Sequence, residues 1–217
     1  METIKLDDTT DTSALAQRLA ATLEEGGLVC LPCNGSYRIV ADLTNTSAVL
    51  DLMVSKQRTR KAPALVFIDS HARLEEIDAA LPEPARVLAD ALWPKPLTIR
   101  VQLGDALPRK VKKELGGKKA KVGVRVPADA LARATAAALG RPLLVSSANR
   151  QKKAGESSPA QVRRSFGARV DIFVDAGDIQ KKSASTVIDI VDGALSIERQ
   201  GTVEHAELES LLASLPS

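Results

Sequence analysis

Three short stretches of this chain hold residue types whose spacing could do chemistry. Cys30-Leu-Pro-Cys33 is a C-x-x-C pair that ends an apolar run. Redox chemistry places such a pair at a helix N-terminus, where the dipole lowers the thiol pKa. Here Cys30 falls in a stretch that reads as a strand, and Pro32 leads into polar turn residues. Residues three apart on an extended chain point to opposite faces. A zinc site needs two further ligands, and the two histidines, His71 and His205, stand in helix-like or terminal contexts. Cys30 therefore reads as a small buried hydrophobe. In "SKQRTRK", Lys56 and Arg58 are two residues apart, which puts both cations on one side of a turn or extended segment. Such a pair clamps a carboxylate or phosphate, Arg58 bidentate and Lys56 as a point charge. The same stretch also suits a solvated helix end. "RPLLVSSANRQKK" runs an apolar strand into Ser146, Ser147 and Asn149. Small polar side chains at the carboxyl end of a strand are where open α/β sheets bind ligands, and they also make ordinary turns. Neither G-x-x-x-x-G-K-[ST] nor G-x-G-x-x-G occurs, so the usual phosphate cradles are missing.

The elements that must position these residues alternate along the chain. "TDTSALAQRLAATLEEGG" predicts a helix capped by Asp11 or Thr12, with Leu15, Leu19 and Leu23 on one face and Gly26-Gly27 as the stop. "LVCLP" reads as a buried strand and "TSAVLDLMVSKQR" as a helix entering a basic turn. "ALVFI" is a further strand, and "SHARLEEIDAALPEPARVLADALWP" gives two helices split by a proline. "LTIRVQL", "VGVRVP", "PLLVSSA" and "VDIFVDAG" read as strands, with helices in "ADALARATAAALG" and "SPAQVRRSFG". "STVIDIVDGALSIERQG" predicts a hairpin turning at Asp192-Gly193, and "EHAELESLLASL" a closing helix. "LGGKKAK" reads as a mobile loop. Intermixed helices and strands without an internal repeat predict one α/β domain on a mixed sheet.

Composition narrows the function classes. Hydrophobic residues make up 44% of 217, but aromatics only 2%, so the core must be aliphatic. That leaves almost no supply of rings for stacking unpaired bases. Net charge is only +3, yet the basic residues cluster in "SKQRTRK", "PRKVKKELGGKKAK", "NRQKK", Arg163-Arg164 and "QKK". Each cluster alone reads as a solvated face. Together they suit a polyanion, either a nucleotide or RNA. No apolar run reaches the ~18 residues of a membrane span. The acidic N-terminus lacks a signal-peptide core, and two cysteines make no disulfide framework, so the expected compartment is the cytoplasm.

The order of the pieces is more specific than any one of them. A G-G-x-V strand and its following loop stand as "GGLVCLPCNGSYRI", K-x-R as Lys56-Gln57-Arg58, and W-P-G-P-L-T as "WPKPLT". G-x-R-x-P stands as "VGVRVP" with Arg125, and S-A-N as Ser147-Ala148-Asn149. S-T-V-x-D stands as "STVIDI" from Ser185, and R-x-G as Arg199-Gln200-Gly201. In this order the chain resembles the threonylcarbamoyl-AMP synthase family, the YrdC-like domain, over nearly its whole length. The resemblance implies a single domain over residues 1–217, with a core of about 10–203 and a C-terminal helix of about 204–215. It implies a twisted mixed sheet with flanking helices and a concave basic face. It also implies a reaction in which threonine, bicarbonate and ATP give threonylcarbamoyl-AMP and pyrophosphate. That product feeds threonylcarbamoyl modification of a tRNA adenosine. Mg²⁺ would travel with the ATP. By the same match Lys56 and Arg58 are the catalytic cations, and Ser147, Asn149, Arg125, Ser185 and Arg199 bind the nucleotide and line its cleft. Cys33, Asn34, Gly35, Tyr37 and Thr98 form the threonine loop and its surroundings.

The chain also departs from the family pattern. Aligned on Pro32 and Tyr37, Cys33 and Gly35 replace two threonines, Asn34 an aspartate, and Arg38 a glycine. An unmade hydrogen bond to a polar substrate group costs ~1–3 kcal/mol. Lys95 replaces the glycine of W-P-G-P-L-T, Thr59 a frequent proline, and "RQKKAG" follows Asn149 where the family has S-G. The nucleotide half of the motif set is better kept than the threonine half. Two alternatives follow: a nucleotide- or double-stranded-RNA-binding paralogue without synthase activity, and an adenylating enzyme with a different acceptor.

Overall fold

A computed structural model describes residues 1–55, 64–149 and 157–214. Strand β1 (Glu2–Lys5) precedes helix α1 (Thr12–Glu24). The Asp11 carboxylate caps α1 by accepting from the backbone N–H groups of Ser13 and Ala14. Strands β2 (Val29–Cys33) and β3 (Ser36–Asp42) then form a hairpin. Its two-residue turn is Asn34-Gly35, at φ 48° and 72°. Positive φ at both positions matches the right-handed twist of the strands, and Asn-Gly is the pair best suited to it. Helix α2 (Thr46–Ser55), strand β4 (Leu65–Phe67), a 3₁₀ helix (His71–Ile77) and α3 (Glu83–Leu92) follow. Next come β5 (Leu97–Gln102), α4 (Arg109–Gly116), β6 (Lys121–Arg125), α5 (Ala130–Leu139) and β7 (Leu143–Ser147). The remaining elements are α6 (Pro159–Phe166), β8 (Ile172–Asp175), β9 (Thr186–Val191), β10 (Ala194–Arg199) and α7 (His205–Ala213).

Among the described residues the strands form one ten-stranded mixed sheet in the order β1-β8-β2-β3-β7-β4-β6-β5-β9-β10. Its two faces are covered unequally. On one face Cys30, Tyr37, Ile39, Val66, Leu144, Val124, Ile99 and Ile188 meet apolar residues from α2, α3, α4, α6 and α7. On the other, Val29, Leu31, Cys33, Val40, Phe67 and Val145 meet only α1 and α5, which pack on each other. The β6-β5-β9-β10 end of that second face carries no helix of the second core, and the cleft described below opens there.

The predicted α/β class and the main helices and strands match the structure. Cys30 and Cys33 are buried on opposite faces of the sheet and form no disulfide, as their three-residue spacing requires. Several details differ. The chain after Pro32 is not a polar turn segment but one more strand residue, a tight turn and the whole of β3. The basic stretch 109–116 is helix α4, because Val111 and Leu115 give it a buried stripe. "LGGKKAK", expected as a mobile loop, is the end of α4, a 3₁₀ turn (Gly117–Lys119) and the start of β6. The stretch 71–77 is 3₁₀ rather than α-helical, and β1 adds a strand that its acidic sequence did not suggest.

Tyr37 is a keystone of the first core. Its ring is buried, 5.1 Å from Phe173 and edge-on to it. Its hydroxyl donates to the Gly177 carbonyl at 2.7 Å and accepts from the Ala176 N–H at 2.9 Å. Replacing Tyr37 with Phe strands both backbone groups. The expected loss is ~1–3 kcal/mol of unfolding free energy, read from the denaturant midpoint at constant m-value. An unchanged midpoint would show that neither group depends on the hydroxyl.

Candidate active-site cleft

Strand alternation builds the site. On β3, β5 and β6 the residues facing away from the first core include Arg38, then Thr98 and Arg100, then Gly123 and Arg125, and these five line one cleft of about 390 Å³. Asn34 at the hairpin turn and Ser185, Val187, Glu198 and Arg199 close its other side. Glu198 and Arg199 are consecutive and would alternate in a regular strand. The β9–β10 register shifts between Ile197 and Arg199, and this bulge lets both side chains reach the cleft.

Ser185 is the fixed point. It is buried at 4% exposure, and two guanidinium groups hold it. Arg125 donates through Nη1 to its hydroxyl, and Arg199 donates through Nε and Nη2 to its carbonyl at 3.1 and 2.8 Å. Arg125 also stacks over the Phe67 ring at 4.9 Å, from the register-paired position on β4. Gly201 lets the chain cross close to this point, since a Cβ there would lie 2.3 Å from the Ser185 carbonyl carbon. The glycine of R-x-G thus serves the serine of S-T-V. Arg100 pairs with Glu198 at 3.1 Å. Burial lowers the pKa of both Arg38 and Arg125, because desolvation disfavours their charged forms.

Asp129 stands at the N-terminal end of α5 but does not cap it. Its carboxylate instead accepts from the Asn34 N–H at 3.2 Å and from the Cys33 thiol at 3.2 Å. The hairpin tip is wedged on its other side as well. A Cβ on Gly35 would lie 2.2 Å from the Lys182 backbone nitrogen.

The structure brings Asn34, Thr98, Arg125, Ser185 and Arg199 together around the cleft. Ser147 lies on the same sheet face, directly opposite Arg38 in the β3–β7 register, and its hydroxyl bonds to the Asn149 side-chain oxygen. Cys33 is buried on the cleft side of the sheet, and Gly35 packs against backbone. Tyr37 was expected in the threonine loop. Strand alternation turns its ring to the opposite face, so it supports the loop from the core and does not face the cleft. Lys95, the departure in "WPKPLT", pairs with Glu207 of α7 at 2.7 Å. Lys56 and Arg58 lie outside the described residues. Sequence reasoning missed Arg100, Glu198 and Asp129 as neighbours of the site. Arg100 was within reach of it, as the charged position in the alternating "LTIRVQL".

The fold and cleft define an α/β domain with an arginine-rich pocket on the open part of a mixed sheet. The family described as "Telomere recombination", that of Sua5, YciO and YrdC, matches residues 21–201, and this chain belongs to it. The threonylcarbamoyl-AMP synthase of Thiobacillus denitrificans is 33% identical over 177 residues, covering 82% of this chain and 92% of that protein. The threonylcarbamoyl-AMP synthase of Pyrococcus abyssi is 29% identical over 196 residues, covering 90% of this chain. The match spans only 56% of that relative's length. The crystal structure of P. abyssi Sua5 with L-threonine superposes with a TM-score of 0.83 at 26% identity, over 97% of this chain and 61% of that one. E. coli YciO shares the fold, with a TM-score of 0.76 at 20% identity over 95% of this chain and 98% of that one.

Burial, and then the negative field of Asp129, push the Cys33 thiol from its ordinary 9.0 up to about 12. A raised folded-state pKa keeps the proton on the folded chain after the unfolded chain has lost it. The stability involved is fully present below pH 9.0 and is lost as the pH rises toward about 12. The wild type should therefore lose up to ~1.4 kcal/mol per pH unit more than Cys33→Ala across that window, measured by denaturant unfolding. Parallel pH profiles for the two proteins would contradict this account of the thiol.

Proposed function

We propose that this chain catalyses an adenylation of the threonylcarbamoyl-AMP synthase type. The amine of an acceptor amino acid adds to the carbon of bicarbonate, and water leaves to give a carbamate. A carbamate oxygen then attacks the α-phosphorus of ATP, and pyrophosphate leaves. Threonine is the acceptor for which the relatives are named. Its adenylate would feed threonylcarbamoyl modification of a tRNA adenosine. The observation that carries the reading is the convergence of Arg125 and Arg199 on the two oxygens of Ser185, inside a cleft also lined by Arg38. Fixed guanidinium groups can hold a carboxylate and phosphates without reorganising as charge moves from the carbamate to pyrophosphate. No covalent step on the protein is required.

The cleft's donor set bears on the magnesium that accompanies ATP. Glu198 is the one carboxylate among the described cleft-lining residues, and it is paired with Arg100. No group of three or more His, Cys, Asp or Glu suited to a metal occurs among the described residues. These donors do not make a protein-held cage, so Mg²⁺ fits as the companion of the triphosphate, coordinated by phosphate oxygens and water.

Of the five basic clusters that together suggested a polyanion partner, the one in "PRKVKKELGGKKAK" lies away from the cleft. Lys110 and Lys113 are exposed on α4, whose apolar stripe packs on the face opposite the cleft. Among the described residues the cleft's positive charge comes from strand arginines, which suit a small anionic ligand better than a duplex. A second reading, the same chemistry with a different acceptor, is favoured by Arg38, a cation that stands where the family pattern has glycine.

The test is pyrophosphate release by the purified chain with ATP, Mg²⁺ and bicarbonate, with and without an amino acid. Release that requires an amino acid, with the matching carbamoyl adenylate seen by mass, is expected. Arg125→Ala should lower kcat/KM by ~100-fold or more. Tight ATP binding with no release for any amino acid would overturn the reading.

A further inference from the structure

Three guanidinium groups share one end of the cleft, and their charge is not balanced. Arg38 feels Arg199 and Asp129, and Arg125 feels Arg38 and Asp129. Arg199 is committed through Nε and Nη2 to the Ser185 carbonyl, and Arg125 through Nη1 to the Ser185 hydroxyl. Among the described residues Asp129 is the one carboxylate that acts on both Arg38 and Arg125, and both its oxygens already accept from the Asn34 N–H. The Arg100–Glu198 pair is balanced separately. Arg38 has no ion pair among the described residues, and its Nε and that of Arg125 are buried without a hydrogen-bond partner. Among the described residues, three positive charges facing one carboxylate leave an excess of two. A desolvated guanidinium without a counter-anion is costly, and the cost falls when a ligand supplies the anion.

An acceptor amino acid with a neutral side chain brings one carboxylate to this end. A dicarboxylic amino acid brings two, which equals the excess. We propose that Arg38 forms an added anion subsite that selects a dicarboxylic amino acid as acceptor, with Arg38 meeting the side-chain carboxylate and Arg125 the main-chain one. The proposal rests on the reading of this cleft as the acceptor site of an adenylating enzyme. It agrees with the hairpin turn, where Cys33 and Gly35 offer no hydroxyl to a threonine side chain and Asn34 has already given its N–H to Asp129. The triphosphate is the competing source of negative charge, and it differs in what a substitution at Arg38 would change.

The experiment is calorimetric titration of the full chain, saturated with α,β-methylene ATP and Mg²⁺, by L-aspartate, L-glutamate and L-threonine. Arg38→Gln and Arg38→Lys are titrated alongside, with thermal melts as a check on folding. The wild type should bind aspartate or glutamate about tenfold or more tightly than threonine. Arg38→Gln should remove that advantage, weakening aspartate or glutamate at least about fivefold more than threonine or the nucleotide analogue. Arg38→Lys should restore part of it. Wild-type preference for threonine would overturn the proposal, and so would an Arg38→Gln chain that loses nucleotide affinity with its amino-acid preference unmoved. If Arg38→Gln fails to fold, the wild-type preference and the Arg38→Lys titration decide. Absence of pyrophosphate release with every amino acid would sink the catalytic reading separately, because this measurement reads binding alone.

Discussion

Side chains on a β-strand alternate between the two faces of a sheet, and the site depends on that period of two. The same strands that drive Ile39, Val124, Ile99 and Ile188 into the helix-covered core present Arg38, Arg125, Arg100 and Val187 to the other side. A charged residue in each of three apolar strands is tolerable only because helices cover that face in part. The charged positions gather where the cover stops. Core and cleft are therefore two readings of the same strands, and a one-residue slip would exchange them.

The serine at the mouth of β9 shows how polar groups are kept in order on such a face. Ser185 uses its hydroxyl and its carbonyl to hold two guanidinium groups of like charge, which would otherwise repel. Thr186 does the matching work below it. Its hydroxyl donates to the Val203 carbonyl at 2.7 Å and accepts from the Gly201 and Val203 N–H groups at 3.0 Å. Two consecutive hydroxyls thus tie the start of β9 to the segment after β10. The arginines inherit their positions from that tie.

Much of this was legible in the sequence, and the limits have physical causes. The apolar strands, the cap at Asp11 and the Asp192-Gly193 turn follow from local rules and appear where those rules put them. The ordered motifs identified the family and five residues that share the cleft. The Asn34-Gly35 turn obeys the same rule as Asp192-Gly193, but Pro32 before it and the small polar Ser36 after it break the apolar pattern that marks a hairpin. Tyr37 was misplaced because a motif gives residue order, not face; the alternation from Cys33 through the turn sets which way the ring points. Asp129 carried no local signal. Its role comes from a partner 95 residues away, which no periodicity reports.

The bulge in β10 has a consequence for how this chain tolerates change in length. β10 is an edge strand, so its register can shift by one residue while disturbing a single ladder. That one extra residue brings Arg199 round to the side of Glu198. Deleting Glu198 would restore a regular ladder and keep Arg199 opposite Val187 on the cleft side, but it would remove the carboxylate that pairs with Arg100. A loss of one residue at this edge would thus cost the cleft one carboxylate and leave the guanidinium that holds Ser185 on its side of the sheet.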